Sequence, residues 1–337
     1  MNEDRISRYL GIRNHDMMFA DLSSDYLERI GAADILTGIP VPVRGAEQGD
    51  NNETDARDIV FDMARIVGGD PSFVYADKYI DFIKHAASEQ AEPMLVSEGA
   101  RSADKGDFED ACMLLRAALR IEPKSRAALY LYARACKACQ ETSSEDEERA
   151  AMFKAEAMDT FEILTMMHPE FAMGYYFLGY EYLNLGLYLK TKLTWQDFLK
   201  YSSGTELETS DMDDDMLAGL REEIEGRLEE LEEPIKIEDG CNKVMMGDYQ
   251  GGLEVLSAYK EGPFSEWWPL WYYLGTAESS LGHSDEAIEC YKRVLKYSPS
   301  NTDAMEELAA LYAIAGDIEN STKFRNKIKI VRENESE

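Results

Sequence analysis

Residues 268–299 read WPLWYYLGTAESSLGHSDEAIECYKRVLKYSP, and four of them set a ruler for the chain. Gly275, Ala287, Tyr291 and Pro299 stand 12, 4 and 8 residues apart. Gly99, Ala111, Leu115 and Pro123 repeat all three gaps, and Ala157, Phe161 and Pro169 repeat the last two. Each residue type has a physical task in this pattern. Glycine and alanine let two helices cross at close range, the bulky Tyr291 or Leu115 fills the space beside the crossing, and proline ends the second helix because it cannot continue one. A fixed period of this kind predicts stacked helix–turn–helix units, each burying its face only against its neighbours.

The ruler extends both ways. Forward, Gly316-Asp317 makes a turn between helices expected over 302–315 and 318–331, a last unit without a closing proline. Terminal repeats are atypical because one face meets water. Backward, Tyr175, Leu178, Gly179, Tyr182 and Gly186 keep the pattern, with Thr191 in the place of the small alanine and Trp195 four residues later. Pro123 to Pro169 is 46 residues, longer than a unit of about 34. The excess falls near 141–149 and is either a loop or a lengthening of both helices, with the charge and the helix formers that follow favouring longer helices with a polar tip. In 206–232, Leu217, Leu220, Ile224, Leu228 and Leu231 recur at 3, 4, 4 and 3, one face of a helix whose other face is nearly all glutamate. Gly247-Asp248-Tyr249 turns a weaker unit that keeps Gly252 and Leu256.

Trp271, Leu274, Gly275, Ala287, Tyr291 and Pro299 together resemble the tetratricopeptide repeat. The resemblance covers about residues 92–335 and implies an all-α, right-handed helical solenoid of helix–turn–helix repeats. The expected organisation is an N-terminal helix and flexible linker (1–54), a docking helical pair (55–91), three repeats (92–205), the acidic amphipathic helix (206–232) and three more repeats (233–337). In such proteins the first helix of each repeat lines a concave groove. Carried over, that face holds Tyr130, Arg134 and Lys137, then Tyr176, Tyr180 and Asn184, then Tyr272 and Thr276. The resemblance implies a non-enzymatic interaction scaffold that binds a peptide or partner helix there. The alternative is a regulatory or assembly subunit that meets a basic partner, or itself, through the acidic helix or the end repeats. The carboxylate clamp of some relatives is not kept, since Val96, Ala100, Tyr176, Tyr180 and Ile237 stand at its positions.

The first 91 residues lie outside the repeat. Helices are expected over 55–67 and 71–87, split by Gly68-Gly69-Asp70, with Asp70 capping and Pro71 starting the second. A single helix is expected over 23–36, and residues 38–54, rich in glycine, proline and asparagine, read as a loop or linker.

Composition narrows the functions. A net charge of −31 leaves no basic stripe for nucleic acid or for an anionic membrane, and it suits either a basic partner or simple solubility. No stretch approaches the roughly 18 apolar residues of a membrane span, and residues 1–13 lack the apolar run of a leader. Five cysteines without framework spacing suit a reducing, cytoplasmic setting. Cys136 and Cys139 form a C-x2-C pair with no second pair or adjacent histidine to complete a zinc site, and read as buried free thiols. Asp211, Asp213, Asp215 and Glu222 match four positions of a calcium loop, but Met216 stands where the turn glycine belongs. No nucleophile elbow, phosphate-binding glycine loop or H-E-x-x-H occurs. The expectation is therefore no enzyme, no cofactor and no metal.

Overall fold

The computed structural model describes residues 4–14, 17–43, 56–143, 145–203 and 214–335. The chain divides into two compact units, one of residues 1–181 with 196–208, the other of 182–195 with 209–337.

The first unit opens with helix α1 (Ser7–Leu10), strand β1 (Met18–Ala20), helices α2 (Ser24–Arg29) and α3 (Ala33–Leu36), and strand β2 (Val41–Val43). The strands pair antiparallel, Met18 opposite Val43, and form the only sheet among the described residues. Two expectations change here. The helix expected over 23–36 is broken at Gly31, whose φ of +66° no helix interior accepts. The stretch read as a loop from 38 holds a strand at Val41–Val43, while 44–55 lie outside the described residues.

Helices α4 (Ala56–Gly69) and α5 (Ala76–Ala87) follow. Gly68 and Gly69 do not break α4 but end inside it. Asp70 does not cap α5, because its carboxylate takes the Ser72 N–H at 2.9 Å and the Ser72 hydroxyl at 2.6 Å. That local turn delays the helix to Ala76. Helices α6 (Ala91–Asp104) and α7 (Phe108–Ile121) form the first repeat-like pair, and α8 (Arg126–Glu141) and α9 (Glu147–Met167) the second. With 16 and 21 residues, α8 and α9 outrun the 14 of α6 and of α7. Helices α10 (Ala172–Leu183) and α11 (Tyr188–Tyr201) come next, and the boundary between the units falls within each.

Helix α12 (Asp214–Glu230) belongs to the second unit. It buries Leu217 and Ile224, with Leu231 just past its end, and turns its glutamates outward. Three pairs complete this unit: α13 (Glu232–Met245) with α14 (Tyr249–Leu256), α15 (Trp268–Ser280) with α16 (Ser284–Tyr297), and α17 (Thr302–Ile314) with α18 (Ile318–Glu335). The architecture is the all-α helical solenoid that the spacing predicts.

Its ruler has a direct physical basis. A methyl group on Gly99 would lie 2.8 Å from Leu115 Cγ, one on Gly240 2.7 Å from Leu256 Cδ2, and one on Gly275 3.0 Å from the Tyr291 ring. A bare backbone in the first helix thus receives a large side chain 16 residues later in the second. The turns repeat as well. Gly106, Gly247 and Gly316 each take positive φ, and the following aspartate donates its N–H back to Ser102, Lys243 or Tyr312, ending the first helix. The side chains of Asp107, Asp248 and Asp317 then accept the N–H of Asp110, Gly251 and Asn320, starting the second.

One buried charge cluster ties α4 to the first repeat. Arg65 donates to both Asp110 oxygens at 2.6 and 3.1 Å and to Asp62 at 3.1 Å, and Ser102 adds a bond to Asp110 at 2.7 Å. Burial alone would raise the Asp110 carboxyl. The bonds from Arg65 and Ser102, with the charges of Arg65 and Arg13, outweigh it and hold the group below its ordinary value. A depressed carboxylate contributes stability above its unfolded pKa of about 3.9 and loses it as pH falls through the folded value. The urea midpoint of the first unit should therefore fall with acid below about pH 4, and Asp110→Asn should flatten that dependence.

Candidate interaction face

Tyr130, Arg134 and Lys137 stand at i, i+4 and i+7 on α8, and so on one helical face. Ser125 starts that helix by accepting the Ala128 N–H at 3.1 Å. Tyr176 and Tyr180 stand four apart on α10. Phe177 joins the two helices: its ring centroid lies 6.0 Å from Tyr130 and 5.1 Å from Tyr176. Tyr176 in turn lies 5.2 Å from Tyr180 and 5.5 Å from Phe198. The result is a strip of half-buried rings backed by the fully buried Phe198.

Arg134 lies over this strip, its guanidinium 5.5 Å from the centroids of both Tyr130 and Phe177. It is exposed. Stacked in this way, the guanidinium also donates a hydrogen bond to the Tyr130 phenol oxygen, and its five N–H groups leave further donors for a partner. Burial pushes the Tyr130 phenol up, and the charge of Arg134 and its hydrogen bond to the phenol oxygen partly oppose the shift.

Lys137 is not a spare groove cation. Its Nζ donates to Glu181 Oε1, and Glu181 is 0% exposed. The other carboxylate oxygen, Glu181 Oε2, is buried without a hydrogen-bond partner. Asn184 is exposed and falls in the second unit, beyond the end of α10.

Tyr272 and Thr276 lie on α15 in the second unit. Tyr272 is half-buried, edge-on to Tyr291 at 5.7 Å, Tyr273 at 6.0 Å and Trp268 at 6.5 Å. Its phenol is pushed up by burial first, then by the negative charges of Asp303, Glu307 and Glu306 on α17. Thr276 donates to the Tyr272 carbonyl at 3.0 Å and shares a hydrogen bond with the Tyr291 hydroxyl at 3.2 Å, so its hydroxyl serves the helix pair itself.

Sequence reasoning missed Phe177, Trp268 and Glu181. Glu181 had a signal: it is the lone acidic side chain in the apolar helix AMGYYFLGYEYL, where a carboxylate without a partner would be costly.

The five cysteines are buried free thiols. Cys112 Sγ lies 3.7 Å from Cys136 Sγ and 4.0 Å from Cys139 Sγ, and all three are fully buried and free. Burial pushes Cys112 well above its ordinary value, Cys241 up to about 12 and Cys290 up to about 11, opposite to what a nucleophile needs. Among the described residues no group of histidine, cysteine or acidic side chains is arranged to hold a metal ion. Of the calcium-like acids, Asp211 and Asp213 lie outside the described residues. No described helix is long and apolar enough to cross a membrane.

Residues 268–301 match the family model of the tetratricopeptide repeat. Among solved structures, the TPR domain of P58(IPK) aligns with 91% of this chain and 87% of its own length, at 14% identity and a TM-score of 0.42. PilF of Pseudomonas aeruginosa aligns with 72% of this chain and 92% of its own, at 13% identity and a TM-score of 0.32. MamA from Desulfovibrio magneticus RS-1 aligns with 73% and 97%, at 13% identity and a TM-score of 0.27. Comparison with curated proteins finds no match. This chain carries a tetratricopeptide repeat at residues 268–301 and resembles tetratricopeptide-repeat proteins over that part of its length.

Proposed function

We propose that this protein is a non-enzymatic interaction scaffold that holds a peptide or partner helix against the first helices of its repeats. In the first unit the contact residues are Tyr130, Arg134, Tyr176 and Tyr180. Asn184 and Tyr272 form a separate candidate contact in the second, where Thr276 supports the helix pair, and Lys137 acts through Glu181 rather than as a contact of its own. The observation that carries this reading is Arg134, exposed and stacked over Tyr130 and Phe177 beside the Tyr176–Tyr180 pair. Rigid aromatic rings lose little entropy on binding, and a stacked arginine supplies directional hydrogen bonds, the composition of an interface anchor. The chain works in the cytoplasm, without a cofactor, nucleic acid or membrane as its partner.

Capture from the native host's lysate tests this. Wild-type protein and an Arg134→Ala/Tyr176→Ala/Tyr180→Ala variant, both checked by circular dichroism, are immobilised and their retained proteins compared. A partner held by the wild type should be lost by the variant, since each anchor contributes about 2 kcal/mol, roughly thirtyfold in Kd. Equal retention by both removes this face as the binding site. A second reading rests on the glutamate face of α12 and the charge of −31. It assigns the protein to a basic partner or to self-association, and binding that collapses between 0.1 and about 1 M salt while ignoring the triple variant would favour it.

A further inference from the structure

The first unit carries a second candidate surface, on α7 and α9, and the chain's own N-terminal segment occupies it. Residues 4–14 contribute Arg5, Arg8 and Arg13, and each meets carboxylates far along the chain. Arg5 bonds Asp159 at 2.9 Å, with Glu156 at 4.0 Å. Arg8 bonds Glu148 at 2.5 Å, and Arg13 bonds Asp107 at 2.5 Å and Glu109 at 3.0 Å. Between the arginines, Ile6 and Leu10 are fully buried, and the Tyr9 ring lies 6.1 Å from Phe153. The seat supplies its own anchor: Arg116 reaches Asp4 at 2.5 Å, Ser7 Oγ at 3.1 Å and the Gly68 carbonyl at 2.8 Å. Five carboxylates, on α9, in α7 and at the α7 N-cap, thus face three arginines spaced around two apolar knobs, while Arg149 of α9 also bonds Glu109 and the Tyr132 hydroxyl donates to Glu156. Such a seat recognises a basic amphipathic helical segment.

We infer that this seat is an exchangeable docking surface, and that its occupant in trans is the same segment of a second copy of this chain. Two observations point there. The outermost pairs are wet, with the Arg8 and Glu148 side chains 53% and 66% exposed and Arg13 and Asp107 38% and 40%, so ions and a competing segment can reach them. A second copy also brings the same three arginines and two knobs, so exchange requires no new complementarity, the condition under which segment swapping is cheap. The inference does not depend on the ring strip of α8 and α10.

Charge exchange between two full-length variants tests it. One reverses the segment, Arg5→Glu/Arg8→Glu, and the other reverses the seat, Glu148→Arg/Asp159→Arg. Alone, each places like charges against each other and should run as a monomer by light scattering. Mixed in equal amounts, the basic segment of one meets the acidic seat of the other and the reverse, and a heterodimer should form that 1 M sodium chloride dissolves. A mixture that remains two folded monomers overturns the proposal. Should either variant lose its helical circular dichroism, a labelled peptide of residues 4–14 is titrated onto the wild-type chain. Saturable binding, weakened about tenfold or more when its three arginines are replaced by glutamate, supports the inference, and no binding, or equal binding of both peptides, overturns it.

Discussion

Gly68→Ala should destabilise the first unit by more than about 3 kcal/mol, beyond the usual range for an overpacked core. A Cβ at this position would lie 1.8 Å from the Met113 carbonyl oxygen, 2.5 Å from its carbon and 2.7 Å from its Cα. All three atoms are backbone in the middle of α7, so no rotamer change relieves the clash. Helices α4 and α7 would have to separate, which would also pull the Gly68 carbonyl from Arg116. Neighbouring substitutions calibrate the result. At Gly69 the nearest atoms are the side chains of Asn14 and Met113, which can move, so Gly69→Ala should cost less. At exposed Gly219 in α12 nothing lies within 4 Å, and Gly219→Ala should stabilise its helix by up to about 1 kcal/mol. Urea unfolding of the three variants, followed by circular dichroism, checks the order. A Gly68→Ala midpoint equal to wild type would mean that α4 does not cross α7 at this point.

Lys137→Met should cost about 3–5 kcal/mol, because it strands a buried carboxylate. Glu181 is 0% exposed, and only one of its oxygens has a partner, the Lys137 ammonium. A surface ion pair of the same composition would contribute about 1 kcal/mol or less, so the magnitude itself distinguishes a buried pair from a groove lysine. Lys137→Met/Glu181→Leu should recover most of the loss, since replacing both partners with apolar groups of similar volume removes the desolvation cost along with the bond. Equal destabilisation in the single and double variants would show that the lysine stem, and not the charge, supports α8 and α10.

Both positions show where sequence reasoning stops. Gly68-Gly69 reads as a helix breaker because glycine costs helix stability, and locally that is correct. What keeps the pair inside α4 is the approach of α7, formed more than 40 residues later. Lys137 reads as a groove charge because its spacing from Tyr130 and Arg134 puts it on their face, yet its counter-ion comes from α10. Asp70 is a third case: its aspartate-proline start reads as a cap, and the Ser72 hydrogen bonds turn it into a turn instead.

The sequence alone determined the helix pairs. A glycine followed 16 residues later by a bulky side chain, and a glycine–aspartate turn that ends one helix and starts the next, act within one unit over short separations, where a one-dimensional pattern is complete. It also placed Tyr130, Arg134, Tyr176 and Tyr180 on their helix faces, because the helical period fixes which side chains share a side. Tertiary structure alone decided which partners the candidate side chains meet. The Glu181 partner of Lys137, the Phe177 bridge under Arg134 and the seat of residues 4–14 on α7 and α9 all join segments dozens to more than a hundred residues apart. Such pairings are set by how whole helices pack, and no local spacing encodes them.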